Sequence, residues 1–482
     1  MRLFFSGSIV ATLVCTVGAS AAQNDVRAGH ITTGLETKFY LAGKPRAMRT
    51  LADEMRRYRV PAVSIAVIDR YRVIWTYAAG FRDVASRSPA TNGTLFQAAS
   101  MSKPVAAAGI LRLFEEKHLS LDADVNTMLR SWHVPPPPQK SRQRVTMRRL
   151  LSHTAGINVH GFTGYDRDAR LPTLVQVLNG IPPANSEPIR VTAVPGSATE
   201  YSGGGTSIAQ QVAVDVSRQR FPAFMQDTLL APLAMTSSTF EQPLPAALWL
   251  RAANGYYADG KAVHRGWHVY PTMAAAGLWT TASDLASFVI AIQNALRGQG
   301  KAPIDATVAR EMTTKASQGF GLGPEVQPAY FSHNGANEGF QGIFLGLMHG
   351  GKGVVVMTNS DNGLSLADEV LHAVAKAYGW SVLQPQARTA IGLSAAELKA
   401  LAGTYAANVG GERVALQVSL HQSAGAPALV LQSPLNFGEE RLYAEAPLRF
   451  FTLSGGSLVF SRGAHGRVTS VQAAGATFQR VP

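Results

Sequence analysis

Residues 104–111 carry no charged side chain, and charge returns only at Arg112, Glu115, Glu116 and Lys117. A segment apolar on every side is a helix that runs through a core rather than over it. Just ahead, residues 47–58 place Met48, Leu51, Ala52 and Met55 at helical spacing before Pro61 stops the helix. Residues 63–68 and 73–77 are rich in Val, Ile, Trp and Tyr and flank Asp69-Arg70-Tyr71, which predicts an antiparallel hairpin.

Helical periodicity dominates the middle of the chain, at 145–151, 206–216, 221–230 and 283–296. Residues 119–124 predict a turn and cap, residues 135–138 a stiff proline loop, and 160–200 a loop-rich stretch. Gly156 is the expected C-cap of the 145–151 helix. Strand patterns return at 330–336, 340–345 and 354–359, the last two joined across Gly350-Gly351-Lys352-Gly353, and a helix follows at 366–378. The economical arrangement is α+β. It has one antiparallel sheet containing the early hairpin and the late strands, a helix on its face, and a helical lobe, with a cleft between them. Residues 384–388 are expected to be a linker. Ser394-Ala395-Ala396-Glu397 is a capping box, and short strand runs at 414–420, 429–431, 458–460 and 468–471, punctuated by Gly410-Gly411, Gly455-Gly456 and Gly463, predict a small all-β domain, a barrel. The domains expected are a main domain over 45–380 and this tail over 393–482.

At 482 residues, with 46% hydrophobic and 16% charged residues, the chain has enough apolar material for a large core. Met1-Arg2, the apolar run 3–17 and Gly18-Ala19-Ser20-Ala21-Ala22 have the layout of a secretory signal peptide over residues 1–22, which predicts an exported, periplasmic or secreted protein. The apolar run is short for a membrane span, so no stable span is expected after cleavage. The only cysteine, Cys15, lies inside that run behind bulky Val14, and cleavage leaves no thiol for disulfides, catalysis or metal binding. The net charge of +13 comes from scattered residues without a basic tract, so no nucleic-acid partner is expected.

Candidate chemistry sits at the opening of the apolar helix, where Ser100 and Lys103 lie three residues apart and share one face. A serine hydroxyl becomes a nucleophile when a base takes its proton, and burial can lower a lysine's pKa until it serves as that base. Were Ser100 only an N-cap and Lys103 only a solvated residue, the lysine would still oppose the helix dipole while leading into a buried segment. His153 and His160 come without a carboxylate cluster or an H-E-x-x-H pattern, and His153 is read as structural. Gly203-Gly204-Gly205 lacks the spacing and the lysine of a phosphate loop and is read as presenting Tyr201. Neither Gly205-Thr206-Ser207-Ile208-Ala209 nor Gly363-Leu364-Ser365-Leu366-Ala367 completes the G-x-S-x-G of an α/β-hydrolase.

Taken together, Ser100-x-x-Lys103, Tyr201-Ser202-Gly203 and His333-Asn334-Gly335 resemble the three active-site motifs of the β-lactamase-related serine hydrolases within the penicillin-binding protein superfamily. The nearer branch is that of class C β-lactamases, D-alanyl-D-alanine carboxypeptidases and related esterases. The likeness extends through 150–156 and 277–281, and the all-β tail looks like the lipocalin-like domain found beside such proteins. It implies Ser100 as the acylated nucleophile, and Lys103 as its proton acceptor or as the group that lowers the pKa of Tyr201. Tyr201 would be a base for Ser100 and an acid to the leaving group. The backbone N–H groups of Ser100 and Ala336 would form the oxyanion hole, and His333, Asn334, Gly335 and Gly203 would border the substrate. Gly203 stands where the pattern has an asparagine, and His333 where it has a lysine that binds a carboxylate. A histidine there is expected to be a weaker, pH-dependent cation. Both departures weaken β-lactam hydrolysis relative to an esterase or a peptidase acting on D-aminoacyl amides. The non-enzyme alternative is a silent binder of cell-wall peptides. No metal or organic cofactor is implied.

Overall fold

The computed structural model describes residues 26–136, 142–409, 412–422, 427–433 and 439–481. The signal-peptide stretch, Pro137-Pro138 and Gly410-Gly411 lie outside the described residues.

A seven-stranded antiparallel sheet forms the centre, in the spatial order Ser88–Pro89, Arg72–Asp83, Ala62–Asp69, Gly353–Thr358, Phe340–Leu347, Tyr330–Asn337, Glu325–Val326. The early hairpin and the late strands therefore share one sheet, as their patterns predict. Ala62–Asp69 is buried along its whole length because helices cover both faces. Its side chains alternate with the pleat. Val63, Ile65 and Val67 pack toward the Gly363–Ala377 helix, while Ala62, Ala66 and Ile68 join the core of the helical lobe.

The helix Ser102–Glu116 runs through that lobe with residues 102–111 buried, and Gly109 admits Met225 against its backbone. Around it stand Gly203–Ser217, Met273–Ala276 and Ala306–Thr313, while Ala282–Leu296 lies on the sheet. The sheet-bound helix is N-capped by Thr281, whose hydroxyl accepts from Asp284 N.

Several local expectations change. The 145–151 helix spans Met147–Leu151 and ends at Ser152, so Gly156, although left-handed at φ 66°, is not its cap. The loop-rich stretch contains a helix, Leu174–Asn179, opened by a capping box at Thr173 and closed by left-handed Gly180. The expected linker is partly a strand: Gln386–Arg388 pairs in parallel with Phe39–Leu41, so the N-terminal segment ties down the entry to the tail. The tail itself is a closed barrel of eight antiparallel strands, from Gly403–Val409 to Ala476–Val481, filled by Tyr405, Leu416, Leu429, Phe450, Phe460 and Phe478. Four of those strands had no separate signal, because the short, half-exposed runs alternate only weakly. An up-and-down barrel that closes on itself leaves no free edge.

Candidate active site

Ser100 sits in the 3-10 turn Ala99–Met101, immediately before the buried helix. Ala99 is left-handed at φ 49°, an unfavourable conformation for a residue with a side chain, and its neighbours on both sides hold it there. The Ala98 N–H donates to Leu278 O at 2.8 Å, and Leu278 N donates to Ser102 Oγ at 3.0 Å. From the other side Asn337 Nδ2 donates to Gln97 Oε1 at 2.8 Å and to Ala276 O at 3.1 Å. Residues 97–102 are thus stitched to 276–278 and to the end of the Tyr330–Asn337 strand.

Lys103 follows in the first turn of the helix and is 3% exposed. Its Nζ lies 2.9 Å from Ser100 Oγ and 2.9 Å from Ala275 O. No carboxylate among the described residues is paired with it, and burial pulls its pKa down to about 7. A neutral amine has two N–H donors and one lone pair. With one donor on Ala275 O, the lone pair can face the serine hydroxyl.

Tyr201 ends the loop before Gly203–Ser217. Ser202 caps that helix, accepting from Gly205 N at 2.9 Å and donating to Asn158 O at 2.8 Å. The glycines open the helix itself, three residues earlier than its periodicity suggests. They do so because the helix start packs on 158–161: Gly203 N donates to His160 O, and a β-carbon at Gly204 would lie 2.7 Å from Asn158 O. The tyrosine ring stands with its centroid 4.8 Å from Lys103 Nζ, and its hydroxyl lies beside Ser100. Burial raises its pKa well above the ordinary value, so the phenol is protonated at neutral pH.

Histidine rings surround Tyr201: His153 at 4.5 Å, His160 at 4.8 Å and His333 at 6.0 Å between centroids. His153 is buried and accepts from Ser202 N at Nδ1, 3.2 Å away, so it holds the backbone next to Tyr201. Burial and the neighbouring Lys103 hold all three rings below the usual histidine pKa.

His333 departs from the cationic substrate anchor that the sequence suggests. It is 1% exposed, and burial takes its pKa down to about 3. Its Nδ1 donates to Asn334 O at 2.5 Å, and Nε2 has no partner among the described residues. The strand alternates, so Asn334 and Ala336 face outward while His333 and Gly335 face the interior. His333 is therefore a neutral wall behind Tyr201.

A cavity of about 390 Å³ opens over these groups. Ser100, Lys103, Tyr201, Asn334 and Ala336 line it, with further walls from 160–162, 275–276, Glu325 and Asn337. Gly203, Gly335 and His333 are not among its lining residues and act from behind. Glu325 had no signal in the sequence, since it reaches the site only through the pairing of Glu325 with Ser332 at the sheet edge. A larger groove of about 1050 Å³ on the barrel, near Arg462, Arg467 and Arg480, contains no such nucleophile and base.

The family described as Beta-lactamase matches residues 47–379. Protein flp of Staphylococcus aureus (strain N315) is 24% identical over 201 residues, which cover 40% of this chain and 38% of that protein. Esterase EstB of Burkholderia gladioli is 32% identical over 120 residues, 24% of this chain and 30% of that one. The chain thus spans well under half the length of these curated relatives. Among solved structures, the octameric penicillin-binding protein homologue from Pyrococcus abyssi superposes with a TM-score of 0.62 at 20% identity, covering 89% of this chain and 98% of that one. The D-amino acid amidase from Ochrobactrum anthropi SV3 does so with a TM-score of 0.55 at 19% identity, over 68% and 98%. These two likenesses are of fold. With the family match covering most of its length, the chain belongs to the Beta-lactamase family of serine-hydrolase relatives, with a closed β-barrel appended.

Proposed function

We propose that this protein is a serine hydrolase that acylates Ser100 and hydrolyses an ester or an amide, of the esterase or D-aminoacyl amidase type. The observation that carries the reading is Lys103 Nζ at 2.9 Å from Ser100 Oγ with its pKa drawn down to about 7. A base poised near neutrality is what proton abstraction from a hydroxyl requires.

In this reading Ser100 Oγ attacks the substrate carbonyl carbon while its proton passes to Lys103 Nζ. The oxyanion lies against the backbone N–H groups of Ser100 and Ala336. Tyr201, which holds its phenolic proton, delivers it to the departing oxygen or nitrogen and regains one from Lys103. Water then attacks the acyl carbon, and the same groups return the proton to Ser100 Oγ. Because Lys103 is hydrogen-bonded to Ser100 and stands against the Tyr201 ring, the apparent pKa values belong to the cluster. Buried, neutral His333 supplies no charge for a substrate carboxylate, which disfavours β-lactams and carboxypeptidase substrates. We further propose that residues 1–22 direct export. No helix among the described residues is long and apolar enough to cross a membrane.

The test is intact-mass spectrometry during incubation with a p-nitrophenyl ester, and separately with benzylpenicillin, on the wild type and Ser100→Ala. An acyl adduct from the ester on the wild type alone is the expected result. Turnover unchanged in Ser100→Ala would overturn the assignment.

A further inference from the structure

Glu325 is the one carboxylate among the described residues that line the cavity. Its backbone is satisfied at the sheet edge, paired with Ser332 and bridged to Phe320. Its side chain has neither a hydrogen bond nor an ion pair among the described residues. It is only partly exposed, and burial raises its pKa. A half-dry carboxylate without a partner is costly to keep and is normally found paired. An ordinary edge-strand glutamate would turn into water and stay at its usual pKa. This one faces the cavity closely enough to raise the pKa of the Tyr201 phenol by its charge.

The other titratable groups facing this space are Lys103, near neutral, His160, held below its usual pKa, and protonated Tyr201. His333 and His153 stand behind them, uncharged. The cavity therefore presents one acceptor-only charge and no permanent cation. A substrate carboxylate would meet repulsion from Glu325, offset only by the protonated fraction of Lys103. An ammonium would complete the missing pair, through a charge-assisted hydrogen bond. In an aminoacyl group the α-nitrogen is one carbon from the scissile carbonyl, so a carbonyl over Ser100 keeps that nitrogen inside the same cavity.

We infer that Glu325 is a specificity-determining residue that binds the free ammonium of the substrate's acyl part, so that the cavity selects α-amino amides and esters over N-acylated or carboxylate-bearing ones. The inference rests on the hydrolase reading for its meaning in catalysis, but the binding itself does not.

The test separates the two. Ser100→Ala, which cannot be acylated, is titrated calorimetrically with D-phenylalaninamide and with 3-phenylpropanamide, which lacks only the amine, and both titrations are repeated with Glu325→Gln added. The expected result is a preference for the amine of about 10- to 100-fold, the reach of a hydrogen bond to a charged group. That preference should collapse in Glu325→Gln and persist in reduced form in Glu325→Asp, which guards against a variant that merely misfolds. No binding of the amine, equal binding of the two compounds, or a preference that survives Glu325→Gln would overturn the inference. Amine-selective binding by a wild type that no p-nitrophenyl ester acylates would keep the Glu325 site and remove the hydrolase reading instead.

Discussion

A β-carbon on Gly335 would lie 3.0 Å from the backbone nitrogen of Ser100 and 2.3 Å from Ala98 O. The Tyr330–Asn337 strand thus approaches the nucleophile's turn as closely as two backbones can. That approach brings Ala336 to the cavity opposite Ser100, and it is glycine's missing side chain, not a special dihedral angle, that permits it. Gly335→Ala must push the strand away. The expected outcome is a loss of about 10² to 10³ in ester turnover, the cost of one displaced oxyanion donor. Overpacking should add a destabilisation of about 1–3 kcal/mol in thermal or urea unfolding. Unaltered acylation in this variant would show that the strand's position does not set the oxyanion hole.

Removing either partner of Ser100 should slow acylation without removing the nucleophile. Lys103→Ala and Tyr201→Phe are each expected to cost about two to four powers of ten in kcat/KM, the range of general acid–base loss. Lys103→Arg should be no better, because a guanidinium keeps its proton. Single-turnover kinetics with a p-nitrophenyl ester checks this. A near-wild-type rate in either deletion would place the base elsewhere.

The pKa of Lys103 near 7 ties activity to pH, since only the neutral amine accepts a proton. Acylation should rise through about pH 7 and level off above it. His333, at about 3, should add no inflexion between pH 5 and 8, and His333→Asn should leave the midpoint where it is. A midpoint that moves with His333 would mean that this histidine titrates in the working range.

Stability should follow the same groups. Lys103 has a folded pKa below its ordinary 10.5, so between about 7 and 10.5 the unfolded chain binds more protons than the folded one. Its contribution is full above the ordinary pKa and is lost as pH falls through 7. His333 repeats this lower down, losing its contribution as pH falls from 6.5 toward 3. Urea unfolding across pH 7 to 10 on the wild type and Lys103→Met checks the first part: the upward slope should be shallower in the variant.

The barrel is held by a clasp away from the site. Arg388 pairs with Glu445 at 3.0 Å and lies 4.4 Å from the centre of the Phe39 ring, which meets Phe451 edge-on. Phe39→Ala should loosen the barrel, as truncation of a buried aromatic costs about 3–5 kcal/mol. Limited proteolysis should then cut faster near residues 389–393. An unchanged cleavage rate would mean that the parallel pairing of Phe39–Leu41 with Gln386–Arg388 suffices.

What the sequence by itself determined lies within the reach of local geometry. Ser100 and Lys103 meet because residues three apart share a helix face, and the uncharged run after them can only be interior. The β-branched runs at 63–68 and 354–356 call for one sheet, and the turn glycines at 350–351 join its strands. Tertiary structure decided everything that depends on what surrounds a side chain. His333 has the sequence position of a cation, yet the strand's alternation turns it inward and burial leaves it neutral. Glu325 looks like any edge glutamate until the pairing with Ser332 sets it in the cavity wall. The glycines at 203–205 do not extend a loop but seat a helix start on 158–161, and residues 386–388 form a strand only because Phe39–Leu41 comes to meet them. Proximity along the chain fixes a spacing, but the charge and role of a group are set by solvent and neighbours, and those are brought together only by the fold.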